Sequence, residues 1–167
     1  MTPAIFLARV LDPGLAWCAA LPGWHIISDD RARVGLCAIS GQEANWTARI
    51  QANNGPAHGL FQFERLGGVA DVLEHPASHA LAFHACAASH VAAGPRSVWD
   101  ALAMAPHDNL AVAFARLLLW TDLAPLPAID DQDDWYKYYL RNWRPGAPDA
   151  DRWADVFPQA LEAIKHG

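Results

Sequence analysis

The chain has 167 residues, 53% hydrophobic and 18% charged, which suits one domain with a sizeable core and excludes a disordered or low-complexity chain. Its formal net charge of −6 argues against nucleic acid as a partner, because that binding rests on clustered Lys and Arg. The three cysteines, Cys18, Cys37 and Cys86, are odd in number and widely spaced; they form neither a zinc pattern nor a disulfide framework, and buried free thiols are expected.

From the N-terminus, the stretch MTPAIFLARVLDPG lacks a basic leader and its apolar run is broken by Asp12, Pro13 and Gly14. No signal peptide is read there, so synthesis in the cytoplasm is expected. No apolar stretch reaches the length of a membrane span, so no stable membrane insertion is expected. Ile5, Leu7, Ala8 and Leu11 predict a short helix ended by Asp12-Pro13-Gly14, and residues 15–21 predict a second, stopped by Pro22-Gly23. Ser28 is the expected N-cap of a third helix, with Asp29 and Asp30 in its first turn and Glu43 near its end. Asn53-Asn54-Gly55-Pro56 is turn chemistry.

Residues 69–73 predict a short helix closed by His75-Pro76. Helices follow over 77–93 and 97–105. Asp108 is expected to cap an apolar helix over 109–121, hydrophobic almost all round and therefore the central buried one. The acidic run Asp130, Asp131, Asp133 and Asp134 reads as a solvated helix start. Helices over 133–143 and 150–165, the last containing Pro158, complete an all-α reading with no visible period-two strand. His75, His79 and His84 lie near Glu74, but Pro76 interrupts the helical pair and no His-Glu-x-x-His phrase exists. No metal and no cofactor is expected.

Two phrases carry chemistry. One is Ile39-Ser40-Gly41-Gln42-Glu43-Ala44-Asn45-Trp46; the other is Gly55-Pro56-Ala57-His58-Gly59-Leu60-Phe61-Gln62-Phe63-Glu64. A Glu near a helix end suits a general acid where apolar neighbours, such as Trp46 three residues on, disfavour its charged form and keep it protonated. Gln62 can both donate and accept a hydrogen bond.

These phrases resemble the active-site signature of soluble lytic transglycosylases and goose-type lysozymes, within the lysozyme-like superfamily. The phrases over 115–122 and 138–146 are similar to those of phage-encoded lysozyme-like proteins. The resemblance implies a single all-α, lysozyme-like helical domain over 1–167, with an active-site groove and little or no β structure. It implies cleavage of the glycan strands of peptidoglycan, with Glu43 as catalytic acid, Leu60, Phe61 and Phe63 as apolar neighbours on the loop facing it, and Gln62 suited to sugar hydroxyls or an N-acetyl group. It also implies a phage or prophage setting, with action in the periplasm or cell wall after release or as a virion component, and other phage virion proteins as partners.

A second catalytic carboxylate would be Glu64, with Asp71 and Asp122 behind it; inverting hydrolysis places such a group roughly 6.5–9.5 Å from the acid. The alternative for Glu64 is an ion pair with Arg49, Arg65 or Arg116. Gln62, His58, Phe63 and Tyr139 are the expected substrate-binding residues, with Tyr138 next after Tyr139. The chain departs from the pattern at Ala44, where Ser is usual, and lacks the usual Tyr-Asn-Gly phrase. Ala44 and the acidic charge favour a rival, a catalytically inactive lysozyme-like binding or structural virion module. Retention of Glu43 and Gln62 favours the enzyme, and an open groove containing both discriminates between the two. A thiol enzyme using Cys37 or Cys86 has no supporting motif.

Overall fold

In the computed structural model, which describes residues 1–166, the helical periodicity becomes helix nearly throughout. Helix α1 (Pro3–Phe6), a π-helical stretch (Leu7–Leu11) and helix α2 (Asp12–Ala19) form one continuous rod. The expected break at Asp12-Pro13-Gly14 does not occur. The widened turn ends with the Asp12 N–H bonded to the Leu7 carbonyl, and the loosened spacing accommodates a proline that has no N–H to give. Gly14 stays helical because it lies against α7, where a Cβ would come within 2.8 Å of Val112.

Helix α3 (Asp30–Ala44) is capped by Asp29, whose carboxylate accepts from the Ala32 N–H at 3.2 Å. Ser28, the expected cap, instead accepts from Arg116 Nε at 3.3 Å. The helix ends at Asn45, which takes the left-handed conformation (φ 49°).

Beyond it lies the β structure of the described residues. Strands β1 (Ala57–His58) and β2 (Phe63–Glu64) pair antiparallel, Ala57 opposite Glu64 and His58 opposite Phe63, with Ile50 bridged to His58. Two-residue strands are too short for a period-two pattern to register. Gly59 and Gln62, both at positive φ, turn the chain between them.

An irregular turn over 65–69 leads into α4 (Ala70–Glu74), α5 (His79–Ala88), α6 (Pro95–Leu102), α7 (Asp108–Thr121), α8 (Gln132–Trp143) and α9 (Ala150–Lys165). Helix α5 is shorter than the expected 77–93, because the Ser78 hydroxyl is bonded to the Val72 carbonyl at 2.7 Å before the helix begins. Asp108 is the first residue of α7 rather than its cap, and its carboxylate pairs with Arg49. Leu110 to Leu119 are all buried, so α7 is the central helix that its apolar circumference predicts. A single hydrophobic cluster runs from Phe6 to Ile164. No described helix is long and apolar enough to cross a membrane.

Helix α3 packs along α9 and, through Gly35, beneath the ring of Trp135 on α8. A Cβ at Gly35 would fall 2.2 Å from that ring, which is wholly buried and tied by its Nε1–H to the Ala128 carbonyl at 3.0 Å. Gly35→Ala is therefore expected to destabilise by about 2 kcal/mol, despite a gain of about 1 kcal/mol in helix propensity. A thermal melt followed by circular dichroism should fall by about 4–8 °C; an unchanged or raised midpoint would contradict this packing.

Candidate active site

Glu43 is the penultimate residue of α3 and the only one over 34–44 that is not buried. Its place at a helix C-terminus is unfavourable for a carboxylate, since the last carbonyls already present partial negative charge. The start of α9 answers that end of the helix. Arg152 donates to the Gly41 carbonyl through Nη2 at 2.7 Å and Nε at 3.3 Å, and the Gln42 Nε2 donates to the Asp149 carbonyl at 2.9 Å. From α8, the Tyr139 hydroxyl donates to Glu43 Oε1 at 2.5 Å. Tyr139 is buried and stacked on Trp153 of α9, with centroids 5.2 Å apart and planes 12° from parallel.

These contacts set the protonation of the pair. Burial is the largest influence on Glu43 and pushes its carboxyl above the usual range. The Tyr139 hydrogen bond and the charge of Arg152 pull it down, and the charge of Glu64 adds a smaller upward push. Burial, then the charge and hydrogen bond of Glu43, hold the Tyr139 phenol well above its ordinary value. It is therefore a donor at neutral pH.

Glu43 lies in a groove of about 550 Å³. One wall is the hairpin with its continuation, including Ala57, Gln62, Phe63 and Glu64; the other is the end of α8 and the start of α9, including Tyr139, Trp143 and Arg152. Leu118 of α7 also lines it. Thus the fold brings together Glu43, Gln62, Phe63, Glu64 and Tyr139. Phe63 is a buried wall residue, its ring 5.8 Å from Trp143. Gln62 faces the groove while its Nε2 donates to the Gly59 carbonyl at 2.8 Å, bracing the hairpin turn. Glu64 is exposed and has no ion-pair partner among the described residues. Arg49 is taken by Asp108, and Arg116 is buried on the Ile27 carbonyl and Ser28.

Other expected residues lie elsewhere. His58 does not line the groove: alternation along β1 turns Ala57 inward and His58 outward, where its ring stacks on Trp99 at 3.6 Å. Asp122 accepts from Arg141 at 2.7 Å and Asn142 at 2.8 Å, away from the groove. Asp71 stands at the groove's end, paired with Arg144. The Tyr138 hydroxyl is spent on the Leu119 carbonyl at 2.9 Å. Trp46 is turned into the core, its Nε1–H on the Cys37 carbonyl at 2.9 Å, and Leu60 and Phe61 are fully buried. Of the expected apolar neighbours, only Phe63 lines the groove.

Sequence reasoning did not single out Gln42, Arg152, Trp143 or Arg144. Tyr136, Tyr139 and Trp143 recur at helical spacing and could have marked one face of α8. Gln42 and Arg152 act across 107 and 111 residues, and no local pattern signals them. The histidines near Glu74 are engaged with main chain: His79 with the Leu73 carbonyl at 2.7 Å, His84 with the Pro22 carbonyl at 2.7 Å, and His75 with the Ala77 N–H at 3.1 Å. The thiols are buried, and burial pushes Cys37 up to about 12 and Cys86 up to about 11. Neither is a thiolate nucleophile at neutral pH.

No family model, curated protein or solved structure matches the chain.

Because the folded-state pKa of Glu43 is raised, the stability its carboxyl contributes is fully present below the ordinary value of 4.5 and is lost as pH rises through the folded value. Glu43→Gln keeps the acceptor for Tyr139 without the charge. At pH 7–8 the variant is expected to melt above the wild type. The difference should close as pH falls below 4.5; a variant less stable than wild type at neutral pH would contradict the burial argument.

Proposed function

We propose that this chain cleaves the glycan strands of peptidoglycan, between N-acetylmuramic acid and N-acetylglucosamine, with Glu43 as general acid. The observation that carries the reading is one carboxyl, pushed towards its protonated form by burial, set in a groove with a tyrosine hydroxyl on one of its oxygens. Glycoside cleavage needs a proton delivered to the leaving oxygen as charge builds on the sugar. Burial shifts Glu43 towards holding that proton in the resting site. Once it departs, the Tyr139 hydrogen bond and the Arg152 charge both favour the carboxylate left behind. The same surroundings thus hold the acid ready and stabilise its conjugate base.

Gln62 and Glu64 line the groove from the hairpin wall, where in this reading the sugar chain passes. In a hydrolase Glu64 would hold the attacking water. In a transglycosylase Glu43 itself returns as base while the sugar's own 6-hydroxyl attacks and closes an anhydro ring. The setting in this reading is a lysozyme-like domain of phage or prophage origin, acting on the wall after release or as part of a virion. The binding or structural virion module remains the rival reading, favoured by Ala44 and the net charge of −6. The presence of Glu43 and Gln62 in one groove favours the enzyme.

Glu43→Gln is expected to lose about 10²–10⁴-fold in rate, read as soluble muropeptides released from purified peptidoglycan and identified by mass spectrometry. Anhydro ends would assign a transglycosylase and reducing ends a hydrolase. No release by the wild type, where a control lysozyme works, would sink the enzyme reading and leave the binding module. Tyr139→Phe removes a hydrogen bond that holds the Glu43 pKa down. The alkaline limb of its pH–rate profile should therefore move to higher pH; a limb that stays or moves lower would remove Tyr139 from this role.

A further inference from the structure

The two groove walls run on beyond the catalytic residues. The hairpin wall continues into α4 at Asp71, and the opposite wall ends on Arg144 at the close of α8. Asp71 and Arg144 reach across from opposite walls and form an ion pair. Leu118 lines the groove with them and is only 4% exposed, whereas the Arg144 and Asp71 side chains are 61% and 40% exposed. The ion pair is thus the solvent-facing part of this lining and Leu118 its buried apolar part. Past it is a second hollow of about 370 Å³, which shares Asp71, Leu118 and Arg144 with the catalytic groove. Its lining adds Glu74 at the end of α4, His75 just after it, Arg141 and Asn142 of α8, and Thr121 of α7.

We infer that the Asp71–Arg144 ion pair is a bar across one continuous trough, and that it determines how long a stretch of linear polysaccharide the site admits. The inference rests on the glycan-cleaving reading above. With the bar closed, sugar residues occupy the catalytic compartment alone. With it open, the chain runs over Leu118 into the second hollow. That hollow mixes both charge signs with the Asn142 amide, the Thr121 hydroxyl and the apolar Leu118, which suits hydroxyl- and amide-bearing sugars better than a polyanion. The bar is built to open: an exposed ion pair between flexible side chains is weakly held in water and is screened by salt.

The experiment measures binding of N-acetylglucosamine oligomers, two to eight units long, to the full chain carrying Glu43→Gln, which prevents turnover. Calorimetry at low salt is run on that protein, on the same protein with Asp71→Asn or Arg144→Gln, and with the pair exchanged (Asp71→Arg with Arg144→Asp). With the bar intact, affinity should rise with length and then level off. Either single change should let it keep rising, the longest oligomers gaining about ten-fold, as one or two added hydrogen-bonded contacts give. The exchanged pair should restore the plateau. Coincident length profiles in all four proteins would overturn the bar. Wild-type digestion of peptidoglycan, run alongside, separates the two ideas. Cleavage with coincident profiles defeats the bar alone, while neither cleavage nor oligomer binding defeats the glycan reading and the bar with it.

Discussion

The site depends on how the C-terminal end of α3 is closed. A helix end leaves carbonyls without partners, and burying them uncompensated is costly. Here the left-handed turn at Asn45 returns its N–H to the Gly41 and Ser40 carbonyls, and the guanidinium of Arg152 covers Gly41 from α9. Gln42 adds a bond to the carbonyl of Asp149, which itself caps α9 by accepting from the Arg152 N–H at 2.9 Å. The end of one helix and the beginning of another are thus mutually satisfied. That junction leaves Glu43 at the groove and seats Trp153 where Tyr139 can stack on it.

The opposed influences on Glu43 follow from this junction. Packing against α8 and α9 removes water and raises the carboxyl's affinity for its proton, while the groups that do the packing, a phenol and a guanidinium, favour the anion. A carboxyl in apolar surroundings alone would hold its proton too firmly to give it up. One among cations alone would never carry it at neutral pH. The proposed general acid work requires a group between these limits, and Glu43, set among Tyr139, Arg152 and a partly buried helix end, is subject to both influences.

The hairpin plays the complementary part. Its strands are two residues each, too short to contribute much pairing, and it is held by what it touches: His58 on Trp99, Phe63 beside Trp143, and Trp143 Nε1 donating to the Phe61 carbonyl at 3.0 Å. Pleat alternation then divides its side chains. Ala57 looks into the groove and His58 out of it, while Gln62, at positive φ, meets the groove from the turn.

Much of this was legible in the amino-acid order, for a local reason. The apolar circumference of residues 110–119, the turn chemistry around Gly55-Pro56 and the placement of Glu43 near a helix end all depend on neighbours a few residues away. They place the helices, the central helix and the loop facing Glu43. The phrases around Glu43 and Gln62 likewise hold residues that the fold brings into one groove. Tertiary contacts decided the rest. The π-helical widening before Pro13 and the close packing of Gly14 on Val112 carry the first helix past a sequence that reads as its end. The direction of His58 is decided by Trp99, the withdrawal of Trp46 by the Cys37 carbonyl, and the choice of Tyr139 over Tyr138 by which face of α8 meets α3. Above all, the partners that set the protonation of Glu43 lie about a hundred residues along the chain. Local order specifies which group carries a proton; the elements folded over that group specify how tightly the proton is held.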